Sequence, residues 1–368
     1  MNTLYFLQHY WWALVSLLGA ILVFLLFVQG LQSLLLRTAS TPQAKDLVCK
    51  YAGHKWEITF TTLVTFGGAA FASFPLFYST SFGGAYWLWM TILFLFVVQA
   101  VSFEFRDHAH NLLGARTFEI LLFLNGAFGS FLLGVAVATL FSGGSFVMEK
   151  TAITDLNEPA ISYWTNGWHG LEGLLNPFNL LLGFVVYFAA RTLALLYVIS
   201  KQDNDEGAEA FRNKCRRHFP ISAAIFVLLF VVFALWLCLR SGYREIDGTM
   251  TEVAFAYWNT LWTNPWILII LLVGVVGVLF GIVRQFLPKG EARNFYWVGG
   301  GVVLAVWAVL LSAGFGGNAY FISTHDPSMS LTLVNSSSSL FTLRVMAIAS
   351  IAIPFVIAYI TWAWRHIR

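Results

Sequence analysis

The sequence predicts an all-α, polytopic membrane protein with about nine transmembrane helices. Its 368 residues are 58% hydrophobic and only 11% charged, with a mean hydropathy of +0.73, whereas a soluble domain carries about 25% charged residues to cover its water-facing surface. Its 35 Phe and 15 Trp residues are typical of a lipid-facing surface with aromatic belts at the membrane boundaries. The net charge of +3 is small, and we expect no nucleic-acid partner.

Long runs without Lys, Arg, Asp or Glu predict where the helices lie, because about 20 apolar residues cross a hydrocarbon core of about 30 Å. Within one membrane domain, residues 1–368, we place spans near 9–36, 58–79, 85–103, 118–142, 178–200, 220–240, 266–284, 295–315 and 341–364. The longest charge-free stretch, Ile58 to Phe103, is long enough for two helices joined by a tight turn at Ser81–Gly84. The N-terminal run lacks the positive start of a cleavable signal peptide, which predicts a retained first helix.

The basic residues predict how the helices are oriented. All but five Lys and Arg residues lie at the C-terminus or in the connections after the first, third, fifth and seventh spans, the exceptions being Lys150, Arg191, Arg240, Arg244 and Arg344. By the positive-inside rule that side is cytoplasmic. We therefore expect the N-terminus and the connection 143–177 outside and the C-terminus in the cytoplasm, which requires an odd number of spans.

We predict no haem or metal ligand on this chain. Membrane helices present axial haem ligands, His or Met, at depth. Here all eight histidines lie in connections or within about one turn of a predicted boundary: His9, His54, His108, His110, His169, His218, His325 and His366. The cysteines Cys49, Cys215 and Cys238 form no CxxC pair. Gly299–Gly301 lies in a hydrophobic helix and predicts close helix packing.

Three charged residues at the ends of neighbouring predicted helices are our candidate proton-pathway residues. Glu57 opens the second helix, and Glu104 and Arg106 close the third. Because these helices form a hairpin, both ends return to the predicted cytoplasmic side, where the three side chains can be neighbours. A carboxylate there can pass protons inward, since it exists in charged and neutral forms and a nearby Arg favours the charged form. The alternative interpretation is a structural ion pair at the membrane interface.

Arg191 lies about midway along the fifth predicted helix. A charge at that depth is costly and needs a partner. One interpretation is that Arg191 faces another helix or a partner subunit. The other is a structural tether to backbone carbonyls or to a carboxylate.

The second and third predicted helices also carry motifs that resemble a known family. Trp56-Glu57 stands ten residues before Gly67-Gly68-Ala69-Ala70-Phe71-Ala72-Ser73-Phe74-Pro75-Leu76-Phe77-Tyr78, and Phe103-Glu104-Phe105-Arg106 closes the next helix. Weaker matches follow the same order along the chain: Trp11-Trp12, Leu175-Asn176-Pro177-Phe178, Ser330-Leu331-Thr332-Leu333, Ser338-Ser339, Leu343 and Met346. In these motifs, which cover most of its length, the chain resembles subunit II of the cytochrome bd quinol oxidases.

This resemblance implies a membrane complex that oxidises quinol and reduces O₂ to water in the respiratory chain of a bacterial cytoplasmic (inner) membrane. It implies a partner, subunit I, that carries haems b558, b595 and d, while subunit II is haem-free and supports it. Some members also have a proton route in subunit II, a structural quinone or a small single-helix subunit. Glu57 aligns with the family's proton-channel carboxylate, and Glu104 and Arg106 fall in its Phe-acid-aromatic-Arg motif.

The chain departs from the family at three amides. Many members have Asp-Gly-Phe-Asp in the first helix and an Arg four residues before Phe103, whereas this chain has Gln29, Gln32 and Gln99 at those positions. A proton route upstream of Glu57 therefore lacks its usual charged groups. Two other functions stay open: a secondary transporter, although the inverted repeats typical of transporters are faint here, or a structural or assembly protein. Co-purifying haem would separate an oxidase subunit from both.

Overall fold

The computed structural model describes the chain apart from residues 1–2, 54, 109, 155–159, 203–204, 288–290, 354, 356–357, 360–361 and 363–368. Its α-helices are α1 (Thr3–Leu25), α2 (Phe27–Gln32), α3 (Pro42–Gly53), α4 (Trp56–Ser73), α5 (Pro75–Phe77), α6 (Tyr86–Phe105), α7 (Ala115–Leu124), α8 (Ser130–Ser142), α9 (Pro177–Ser200), α10 (Ala208–Leu239), α11 (Ala256–Thr263), α12 (Pro265–Arg284), α13 (Glu291–Gly314), α14 (Leu333–Ser336) and α15 (Leu340–Ala349). Two π-helical segments, Tyr78–Gly84 and Asn125–Gly129, join α5 to α6 and α7 to α8.

Seven helices among the described residues are long and apolar enough to cross a membrane: Thr3–Gln32, Tyr86–Phe105, Ala115–Ser142, Pro177–Ser200, Ala208–Leu239, Pro265–Arg284 and Arg293–Gly317. Two further helices, α4 and the shorter apolar helix Leu340–Ala352, lie where the second and ninth spans are predicted. The mostly helical membrane fold is therefore observed, while the count of nine spans and the orientation of the termini stay predictions.

The segment Tyr78–Gly84 is a π-helix, so the tight turn predicted at Ser81–Gly84 is wrong. The helix breaks at Phe74, just before Pro75, and continues through the short helix α5 into the wider π-helix. The Trp164 indole N–H donates to the Thr80 carbonyl at 2.8 Å and so stabilises a backbone group that a π-helix leaves displaced. Gly84 lets Trp164 approach, because a Cβ at Gly84 would lie 2.1 Å from the indole nitrogen.

The connections contain structure that charge counting does not reveal. Helix α3 lies between the first two predicted spans, and α10 begins at Ala208, well before the predicted start at 220, because its basic first turns continue the helix beyond the apolar run. Two antiparallel hairpins fill other connections: β1 (Phe146–Met148) with β2 (Ser162–Trp164), and β3 (Gly242–Ile246) with β4 (Thr249–Val253).

Helix α9 is at the centre of the bundle and packs against α2, α8, α10 and α13. Glycines allow the closest approaches: a Cβ at Gly30 would lie 2.0 Å from the Ala190 carbonyl oxygen, and one at Gly301 would lie 2.5 Å from the Val278 amide nitrogen. Helix α13 thus packs tightly on α12 at Gly301, which confirms the predicted close packing at that residue, whereas Gly300 has no atom within 4 Å of an added Cβ. Helices α2 and α6 both contact the second π-helix, and a group of buried polar residues lies where they meet.

Candidate functional site

The hairpin of α4 and α6 brings two of the three candidate residues to one end. Glu57 is in the first turn of α4, and Glu104 is in the last turn of α6. The rings of Trp56 and Phe103, their chain neighbours, stack with centroids 6.4 Å apart. Both carboxylates are exposed, and neither forms an ion pair with a described residue. The hairpin therefore offers two free carboxylates on one edge.

Arg106, the third candidate, points away from this edge. It is 7% exposed. One terminal nitrogen, Nη2, lies 2.6 Å from Asp46 Oδ1 and 3.0 Å from Glu119 Oε1, and Nη1 lies 2.8 Å from Asp107 Oδ1. The pairing with Glu57 expected from the hairpin is thus absent among the described residues, because Arg106 follows the last turn of α6 and faces α3 and α7 instead.

Glu119 is a buried carboxylate that our sequence reasoning missed. It is 5% exposed and lies in α7. The Lys45 ammonium from α3 donates to its Oε2 at 2.6 Å, while Arg106 donates to its Oε1. We call these five residues, Lys45, Asp46, Arg106, Asp107 and Glu119, the inner charge cluster. The signal in the sequence was a single acidic residue inside the otherwise uncharged span 118–142.

Cys49 lies beside the inner charge cluster. Burial raises the pKa of its thiol to about 12, although the positive charge of Arg106 opposes the shift. The thiol is therefore neutral at physiological pH and is a packing group rather than a nucleophile.

Four amide side chains form a second polar group, the amide cluster: Gln29 and Gln32 of α2, Gln99 of α6 and Asn125. Gln99 Oε1 accepts from Gln29 Nε2 at 2.9 Å, from Gln32 Nε2 at 2.7 Å and from Asn125 Nδ2 at 2.5 Å, and Gln32 Oε1 accepts from Asn125 at 2.8 Å. All four side chains are completely buried. The three glutamines are those singled out in the sequence, and the first residue of the second π-helix completes the set.

The amide cluster has unused hydrogen-bonding capacity. Gln29 Oε1, Gln99 Nε2 and Asn125 Oδ1 are buried without a protein partner. Gln99 and Arg106 are seven residues apart at the end of α6, which is about 10 Å along a helix. The cluster therefore lies about two turns inward from the inner charge cluster. None of its amides can titrate, so it can orient water but cannot itself hold a proton in transit.

Arg191 is a tether. Its Nη1 donates to the Ser33 carbonyl at 3.0 Å and to Ser33 Oγ at 3.2 Å, and its Nη2 donates to Thr38 Oγ1 at 3.3 Å. These contacts bind α9 to the end of α2. They satisfy the charge with neutral oxygens, as the tether interpretation predicts.

Two further features bear on cofactors. Among the described residues, which exclude His54 and His366, no group of three or more His, Cys, Asp or Glu side chains is placed to hold a metal ion.

A cavity of about 350 Å³ runs between α1, α8, α9, α10, α12 and α13, lined by apolar side chains that include Leu26, Leu133, Phe230 and Val306. It is suited to an apolar molecule or an apolar tail.

Comparisons with known proteins agree along the whole chain. Residues 7–367 match the family model of cytochrome bd terminal oxidase subunit II. The chain is 25% identical to a probable cytochrome oxidase subunit 2 of Haemophilus influenzae, covering 98% of this chain and 93% of that protein. It is 24% identical to the cytochrome bd ubiquinol oxidase subunit 2 of Bacillus subtilis, covering 86% and 82%. It is 23% identical to the cytochrome bd-I ubiquinol oxidase subunit 2 of Escherichia coli K12, covering 97% and 93%.

A solved structure has the same fold. A chain of the bd oxidase from Geobacillus thermodenitrificans superimposes with a TM-score of 0.58 over 99% of this chain and 98% of that one, at 13% identity. The family model, the relatives and the fold agree with the motifs on the α4–α6 hairpin. The chain belongs to the cytochrome bd terminal oxidase subunit II family.

Proposed function

We propose that this chain is the haem-free subunit II of a quinol:O₂ oxidoreductase, that it supports a haem-bearing subunit I, and that it contributes a cytoplasmic proton path for O₂ reduction. The observation that carries the proton path is the position of Glu57 and Glu104, which are exposed at one end of the α4–α6 hairpin. Four protons are consumed for each O₂ reduced to water, and a low-dielectric bundle supplies them only where polar groups line a route.

The surface around these carboxylates is apolar and suited to a membrane partner. Large side chains along α4 and α6 are exposed, among them Val64 (59%), Phe71 (57%), Met90 (54%) and Phe94 (65%). A partner subunit packed on this face would enclose Glu57 and Glu104 between the two chains. Protons taken up at Glu57 would then pass across the interface to subunit I rather than through the interior of this chain.

The buried residues support that route. The amide cluster occupies the interior path and contains no titratable group, so a proton relay through it would depend on water alone. Arg106 is bound to Glu119, Asp46 and Asp107, which leaves Glu57 free of a fixed cation. We assign Arg106 an indirect part: it fixes the end of α6 and thereby positions Glu104, the neighbouring carboxylate of the path.

The remaining assignments follow the family. We propose that haems b558, b595 and d are on subunit I, with quinol and O₂ as substrates of the complex, and that the complex lies in the bacterial cytoplasmic (inner) membrane. The apolar cavity between α1 and α13 is where the tail of a structural quinone would fit. A small single-helix subunit, present in some members, would pack on another exposed helix face.

Purification of the tagged chain from its native membrane tests the role as a subunit. We expect a larger membrane protein to co-purify, with haem absorbance in the reduced-minus-oxidised spectrum and quinol-driven O₂ consumption. A secondary transporter or an assembly protein would bring neither haem nor oxidase activity. Recovery of the intact chain without haem, from membranes that contain bd-type oxidase activity, would overturn the proposal.

A further inference from the structure

A polar cavity of about 140 Å³ lies at the C-terminal end of α8. The inner charge cluster lies at the other end of the continuous helix that α7, the second π-helix and α8 form. The wall of the cavity includes Thr139 and Ser142 from the last turn of α8, Glu172 from the connection that follows β2, and Asn179 from the first turn of α9. Gly143, Gly144, Gly170 and Gly173 bring backbone to the same wall. No Lys, Arg or His lines it among the described residues. The cavity is on the side predicted to be outside.

Two buried side-chain oxygens in this wall have no protein partner. Asn179 is 1% exposed, and its Nδ2 donates to the Gly173 carbonyl at 3.1 Å. This bond fixes the amide orientation, because the opposite orientation would place two oxygens against each other. Asn179 Oδ1 then accepts no hydrogen bond from the protein, and Ser142 Oγ, on a residue 9% exposed, also has no partner. Buried polar atoms of this kind call for a ligand or bound water.

Glu172 adds a negative charge. Its Oε1 accepts from Asn166 Nδ2 at 3.1 Å, and its Oε2 accepts from the Gly170 amide at 2.8 Å. These neutral donors orient the carboxylate without balancing its charge, and no described cation forms an ion pair with it. Each carboxylate oxygen keeps a further lone pair for another partner.

The helix ends beside the cavity add no net negative potential. Helix α8 ends at Ser142, but the Arg240 guanidinium donates to the Phe141 carbonyl at 3.2 Å and offsets the partial negative charge of that terminus. At the start of α9, the Asn176 side chain accepts from the Phe178 amide at 3.0 Å. Arg240 is not among the residues that line the cavity, so the wall itself offers one carboxylate, one amide oxygen and one hydroxyl, a donor set that suits a cation.

We propose that this cavity binds a single hard monovalent cation, Na⁺, with Glu172, Asn179 and Ser142 as its protein ligands. Oxygen donors select hard cations over transition metals, and one carboxylate balances one charge, whereas a divalent ion generally requires more acidic ligands. Bound Na⁺ would link the end of α8, the connection that follows β2 and the start of α9. This site is independent of the proton path.

The test is the thermal stability of the assembled, purified complex at constant ionic strength. NaCl is replaced stepwise by choline chloride, with KCl and CaCl₂ as further series. We expect the unfolding temperature to rise with Na⁺ and, above the dissociation constant, to keep rising with the logarithm of the Na⁺ concentration, by about 2 °C at tenfold over that constant. Equal unfolding temperatures in NaCl and choline chloride would mean that the cavity holds water only, and stabilisation by Ca²⁺ but not Na⁺ would mean a divalent site; either result overturns the proposal.

Variants assign the effect to this cavity. Glu172→Gln and Asn179→Ala are expected to abolish the Na⁺ dependence, while Glu149→Gln, which removes an exposed carboxylate just after β1 and outside the cavity, is expected to keep it. If Glu172→Gln does not assemble, the Na⁺ dependence of the unfolding temperature in Asn179→Ala and in the wild type still tests the assignment. Na⁺ dependence that persists in Asn179→Ala would place the ion elsewhere and contradict the assignment.

Discussion

The Arg106 guanidinium is shared among three carboxylates that differ in their contact with water. The side chains of Asp46 and Asp107 are 64% and 73% exposed, so their attraction to Arg106 is screened by water. The side chain of Glu119 is only 6% exposed and also binds Lys45. Glu119 is therefore the anion on which two cations depend, one from α3 and one from the end of α6.

Glu119→Gln tests this dependence. The change keeps the size of the side chain but removes the charge, so Lys45 and the buried Arg106 lose their common counterion. We expect a loss of about 2 kcal/mol of stability, measured as a lower unfolding temperature of the complex. The control is Asp205→Asn, which removes the acidic partner of an exposed pair with Lys50 and should change stability by less than about 1 kcal/mol. Equal losses of stability in Glu119→Gln and Asp205→Asn would show that Lys45 and Arg106 do not depend on Glu119 as their counterion.

Helices α12 and α13 pack closely, and they do so through glycine. A Cβ at Gly301 would lie 2.5 Å from the Val278 amide nitrogen and 2.6 Å from the Gly274 carbonyl oxygen, both backbone atoms. The neighbouring Gly300 has no atom within 4 Å of an added Cβ. Gly301 is therefore one of the glycines that let these helices meet, as Gly274 is on the α12 side, whereas Gly300 takes no part in the contact.

Gly301→Ala is expected to destabilise the complex by about 1–3 kcal/mol, since the backbones of α12 and α13 must separate. Gly300→Ala should be neutral or slightly stabilising, because alanine is the better helix former and nothing obstructs it. Both variants are compared by thermal unfolding and by yield of assembled complex. A tolerated Gly301→Ala would contradict the packing between α12 and α13.

The sequence predicts the spanning helices well because the bilayer restricts what an apolar segment can do. A long uncharged run leaves few options besides a spanning helix, so α6, α9 and α12 lie close to their predicted segments. Helix α3 and the two hairpins were missed because water imposes no such restriction on a charged connection. The sequence showed only three members of the amide cluster, as departures from the family, since the role of Asn125 depends on the second π-helix and on the approach of α2 to it. The ion pairs of Arg106 could not be predicted from the hairpin alone, because they depend on tertiary contacts with α3 and α7.

For the whole molecule, the distribution of basic residues predicts the topology. Reporter fusions at residues 160 and 368 test it, because one kind of reporter is active only outside the membrane and another only in the cytoplasm. We expect an external signal at 160 and a cytoplasmic signal at 368. The reverse pattern would place Glu57 and Glu104 on the outer side and remove the basis for a cytoplasmic proton path.

In the whole complex, we expect Glu57 to deliver protons to the O₂-reducing partner. Glu57→Gln keeps the size of the side chain but cannot titrate, whereas Glu57→Asp can. A suitable control is Glu209→Gln, since Glu209 is likewise exposed in the first turn of a long helix, but that helix is α10 and not part of the hairpin.

The measurement is quinol-driven O₂ consumption by the intact, haem-replete complex between pH 6 and pH 8. We expect Glu57→Gln to slow turnover by about tenfold or more, which corresponds to roughly 1.4 kcal/mol or more in the barrier, while Glu57→Asp keeps much of the rate and Glu209→Gln keeps all of it. Wild-type turnover by Glu57→Gln across this pH range, with normal haem content, would contradict the account.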